Sequence, residues 1–88
     1  MDLATEELLD RFAAVLTDLA DRHGLSNLRQ AGHGAVVADV APGRTYLDLA
    51  DFELEAESVL GAALSVIPSG SPHGRDVAGR PLRASTAA

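Results

Sequence analysis

The chain has no cysteine, no lysine and no tryptophan, and only three aromatic side chains, Phe12, Tyr46 and Phe52. Each absence closes a route. Without cysteine there is no disulfide and no thiolate metal site to staple a core. Three scattered aromatics make no platform on which nucleic-acid bases could stack. No apolar run approaches the ~20 residues needed to cross a bilayer. The opening Met1-Asp2-Leu3-Ala4-Thr5-Glu6-Glu7 is acidic, unlike a secretory signal, so a cytoplasmic location is expected.

What is present is acid. The 88 residues carry a net charge of −6, and all seven basic residues are arginine. The charge is uneven: residues 1–67 hold twelve acids against four arginines, whereas residues 68–88 hold Arg75, Arg80 and Arg83 against Asp76 alone. An acidic body repels phosphate, which argues against DNA or RNA as a ligand. A chain of this length supports one small domain, which buries only ~60–65% of its unfolded surface and gains from a partner or a second copy.

Periodicity supplies the elements. Leu8, Phe12, Val15, Leu16 and Leu19 fall on one helical face, with Thr5 placed to cap its start and Gly24 its end. Leu25 to Ala31 reads as a weak strand. Gly32-His33-Gly34 is a turn signal, and Ala35 to Ala41 reads as a buried strand, so the two suggest a hairpin. Leu47 to Leu60 is a second helix, with Leu49, Phe52, Ala56, Val59 and Leu60 facing inward, and Gly61 stops it. Ala62 to Ile67 is a third strand, ended by Pro68. The expected fold is therefore a small α/β domain over residues 1–68, a three-stranded sheet with two helices in the order α-β-β-α-β, followed by a flexible tail over 69–88.

Several constellations invite a functional reading. Gly32, His33 and Gly34 form the kind of short glycine turn that can cradle phosphate, but neither a lysine nor a helix start follows, as a P-loop requires. His23, His33 and His73 lack metal-ligand spacing. Ser65, His33 and Asp39 make a catalytic trio only on paper, since no nucleophile elbow is present. Along the second helix Asp48, Asp51, Glu53, Glu55 and Glu57 are unrelieved by any base, a face that is either solvated or met by a basic partner; Asp48, Asp51 and Glu55 are the candidate contacts.

The stretch from Leu8 to Ile67 resembles the minimal nucleotidyltransferases of the DNA polymerase β-like superfamily. The resemblance is carried in order by Arg22-His23-Gly24-Leu25-Ser26-Asn27-Leu28-Arg29, by Val36-Val37-Ala38-Asp39-Val40-Ala41-Pro42-Gly43, by Leu47-Asp48-Leu49-Ala50-Asp51-Phe52-Glu53-Leu54-Glu55, and by Val59-Leu60-Gly61. It implies a nucleotidyltransferase core that would use ATP and Mg²⁺, with a glycine-serine loop on the phosphates and paired aspartates on the metal. The chain departs at the chemistry. His33 stands where the loop serine would be, the segment that should hold the paired aspartates is missing, and Ser65 stands where a third acid would be. The resemblance thus implies a degenerate, non-catalytic member with Gly32, His33 and Gly34 as a remnant of nucleotide binding. Relatives of this kind act as antitoxins of HEPN-type toxins, which implies such a protein, or a second copy of this chain, as partner. The alternatives are an active enzyme and a decayed fragment without function.

Overall fold

The computed structural model describes residues 2–71 together with the short stretch 80–81. The first helical stretch runs as two pieces, α1 (Glu6–Arg11) and α2 (Ala13–Arg22). The hairpin follows as β1 (Leu25–Gly32) and β2 (Ala35–Val40). Next come α3 (Tyr46–Leu60) and β3 (Ser65–Pro68), and the two-residue β4 (Arg80–Pro81) completes the set. The sheet order is β3-β2-β1-β4. β1 runs antiparallel to β2 and β4, while β2 and β3 are parallel, as a strand–helix–strand crossover through α3 requires.

The α/β class and the element order agree with the sequence, with three corrections. The expected single first helix breaks at Phe12, whose φ of −102° and ψ of 17° leave the α-helical region. Its buried face is also rotated: Leu9, Ala13, Leu16, Leu19 and Ala20 are buried, while Val15 is exposed and Leu8 and Phe12 only lean on the core. Ala13 and Ala20 take up buried positions that the hydrophobicity pattern assigns to larger side chains. Finally, among the described residues the three expected strands are joined by a two-residue fourth, because Arg80–Pro81 pairs with Arg29 and Gln30 inside the segment expected as tail. The rest of that segment beyond Ser71 lies outside the described residues.

The core fills the space between helices and sheet. Phe52 is its largest fully buried side chain, joined by Leu9, Leu16 and Val36, while Val37 is buried on the other face of the sheet. The α3 face matches expectation at Leu49, Phe52, Ala56 and Leu60, all buried, with Val59 turned outward. Thr45 caps α3: its hydroxyl accepts from the Leu47 N–H, and the Asp48 carboxylate accepts from the Thr45 N–H in return. Gly61 closes the helix in the left-handed region, at a φ of 66°. No helix among the described residues is long and apolar enough to cross a membrane.

Candidate functional site

The glycine turn is built as a hairpin. Gly32 and Ala35 are register partners, so His33 and Gly34 are the two loop residues, and both take positive φ, 53° and 72°. Mirror-image turns of this kind match the twist of antiparallel strands. Gly34 is pressed against the N-terminal segment, and a Cβ there would meet the Leu3 side chain at 2.9 Å. Leu3 is fixed in turn by a parallel bridge to Ala63, with Ala63 N–H donating to Asp2 and Ala4 N–H donating to Ala63.

Beside the turn lies a cavity of about 300 Å³, walled by Leu3, Ala4, Leu9 and Ala35, with Glu6, Gln30 and the turn itself at its rim. Gln30 is the one buried polar side chain among the described residues. Its Nε2 donates to the Glu6 carbonyl at 3.0 Å and to Asp10 Oδ1 at 2.9 Å, tying β1 to α1, and its Oε1 is buried with no partner. Nothing in the local pattern marks this residue, because a glutamine in a weak strand looks like a surface residue. A magnesium polyphosphate asks for several anionic oxygens around the cation and donors along the phosphates. Leu3, Ala4, Leu9 and Ala35 line the cavity beside Thr5, Gln30 and His33, and Glu6 is its one carboxylate. These residues do not fit that ligand.

No family model, curated protein or solved structure matches this chain. The site is therefore read from its own chemistry. Among the described residues no three His, Cys, Asp or Glu side chains gather as a metal-ligand set. Asp39 pairs in register with Ser26, at the far end of the hairpin from His33, so the paper trio with Ser65 is not assembled. Instead Asp39 binds Arg29 at 2.9 Å and Asn27 at 3.2 Å. The Ser69 hydroxyl, then Asn27 and the Arg29 guanidinium, hold its carboxyl below the usual aspartate value. His23 approaches Glu55 Oε1 at 3.1 Å and meets Phe52 edge to face, His33 stands exposed on its turn, and His73 lies outside the described residues.

The acidic helix divides into distinct jobs. Asp48 completes the α3 cap and also receives Arg44 at 3.3 Å; the Thr45 N–H, followed by Arg44, holds its carboxyl below the usual value. Glu55 links α3 to α2 through His23. Glu53 and Glu57 turn to the opposite flank and accept backbone N–H groups of Val66 and Leu64. Asp51 alone of the three candidate contacts remains exposed and uncommitted. The outer face of α3 also carries two exposed leucines: Leu47 is 76% exposed and Leu54 66%, seven residues apart on one stripe, with Tyr46 at the helix start 81% exposed.

Proposed function

We propose that this chain is a non-catalytic, nucleotidyltransferase-like domain of the cytoplasm that docks a helical protein partner of HEPN type on the outer face of α3. The observation that carries the reading is the exposed Leu47–Leu54 stripe with Tyr46 beside it and Asp51 along its border. Two leucines at heptad spacing offer ridges for a partner helix, and an aromatic with a polar tip suits the rim of such a contact. Truncation energies at interfaces concentrate in a few anchors, tyrosine prominent among them, and Tyr46 is placed to be one. Asp51 is placed to meet a basic residue of the partner and to fix register more than affinity. The element order and the resemblance from Leu8 to Ile67 support the nucleotidyltransferase-like reading. The single carboxylate lining the cavity at the glycine turn, too few for a magnesium polyphosphate, supports the non-catalytic reading.

The test is co-expression with a HEPN-type protein encoded by the adjacent reading frame. The pair is expected to co-purify, and L47D/L54D is expected to abolish the complex while the circular dichroism spectrum stays native. A complex that survives L47D/L54D overturns the docking face. Heat on titration with Mg·ATP overturns the non-catalytic reading and favours an active nucleotidyltransferase; self-association lost in L47D/L54D favours a homo-oligomer.

A further inference from the structure

Among the described residues β3 stands at the end of the sheet, with β2 on one side only. The N–H groups of Ser65 and Ser69 donate to Gly34 and Ala38, both at 2.9 Å, so odd-numbered residues here face β2. Strand alternation then directs the N–H groups of Leu64 and Val66, and the position of Pro68, outward. Such an edge is a template for another strand. The hexapeptide Ala62-Ala63-Leu64-Ser65-Val66-Ile67 is uncharged and partly β-branched, the composition that pairs with copies of itself.

None of the three outward positions offers a free donor. Leu64 N–H donates to Glu57 Oε2 at 3.0 Å, Val66 N–H donates to Glu53 Oε2 at 2.7 Å, and Pro68 has no N–H. The spacing explains the fit. Residues i and i+4 on a helix are about 6 Å apart along its axis, and alternate residues on a strand about 6.6 Å apart. With α3 running back across the sheet before β3, the earlier glutamate meets the later amide. We propose that Glu53 and Glu57 are a guard that closes the β3 edge against strand addition by a second copy of this chain. The guard lies on a different flank of α3 from Leu47 and Leu54 and does not depend on the partner reading.

Two double variants separate capping from charge. E53A/E57A and E53Q/E57Q remove the same two negative charges, but glutamine keeps an oxygen acceptor on each side chain. In size-exclusion chromatography with light scattering, E53A/E57A is expected at twice the wild-type mass or more, and E53Q/E57Q at the wild-type mass. A folded E53A/E57A at wild-type mass, or equal association of the glutamine pair, overturns the guard. Should the alanine pair fail to fold, amide exchange in the wild type decides. The Leu64 and Val66 amides are then expected to exchange slower than unprotected amides by about tenfold or more, and free exchange at either overturns the proposal.

Discussion

Replacing Gly34 with alanine makes two demands on the hairpin, and the structure lets them be separated. The first is conformational: a φ of 72° is natural for glycine and costs an ordinary residue about 1–2 kcal/mol. The second is steric. The added methyl would lie 2.9 Å from Leu3 Cβ, 3.2 Å from its Cδ2 and 3.3 Å from the Ala63 carbonyl oxygen. Leu3 must then move, which loosens the two hydrogen bonds of its bridge to Ala63, each worth about 0.5–1.5 kcal/mol. The total is about 2–5 kcal/mol. Gly32 is the internal control: its φ is 80°, but a methyl there meets nothing within 4 Å, so G32A carries only the first cost, about 1–2 kcal/mol. In a domain of this size each kcal/mol moves the melting temperature by about 4–8 °C. Thermal unfolding followed by circular dichroism is therefore expected to rank wild type above G32A and G32A above G34A. If G34A and G32A melt together, the N-terminal segment is not docked on the turn as described.

Two further outcomes follow from the core and the carboxylates. F52A removes the largest buried side chain and is expected to cost about 3–5 kcal/mol, a large share of the roughly 4–13 kcal/mol available to a domain this long; a loss below about 1 kcal/mol in urea unfolding would show that Phe52 is not packed as described. Asp39 and Asp48 both titrate below the ordinary aspartate value of 3.8 when folded. Their stabilising contribution is thus complete above that value and is lost as pH falls below it toward the folded values. The urea midpoint is expected to drop between about pH 5 and pH 2, and less so in D39N/D48N; an equal drop in both proteins refutes the assignment.

Much of the fold could be read before the structure, because periodicity and glycine placement are local signals. The hairpin around Gly32-His33-Gly34, the span of α3 and its buried Leu49, Phe52, Ala56 and Leu60 all followed from spacing alone. The register of the first helix did not. Leu8, Phe12 and Val15 outweigh Ala13 and Ala20 in hydrophobicity, but Ala13 and Ala20 hold the buried positions, and hydrophobicity does not encode that. Arg80–Pro81 could not be found because a two-residue strand has no period. The acidic stretch was legible as a feature but not as separate roles. Asp48 in a cap, Glu55 on His23, and Glu53 and Glu57 on β3 are distinguished only by which way each side chain leaves the helix. Gln30 was invisible for the opposite reason: its partners, Glu6 and Asp10, lie 24 and 20 positions upstream. The glycine turn was seen, and the structure gives its backbone a hairpin role.

The pairing of Arg80–Pro81 with Arg29 and Gln30 has a practical side. Trimming the chain after Ser71 would strip the outer neighbour from β1 at the strand that carries Gln30. A shortened version would then present a raw rim opposite the one that Glu53 and Glu57 cover, and clumping in such a version would reflect where the cut was made, not how the uncut 88-residue chain behaves.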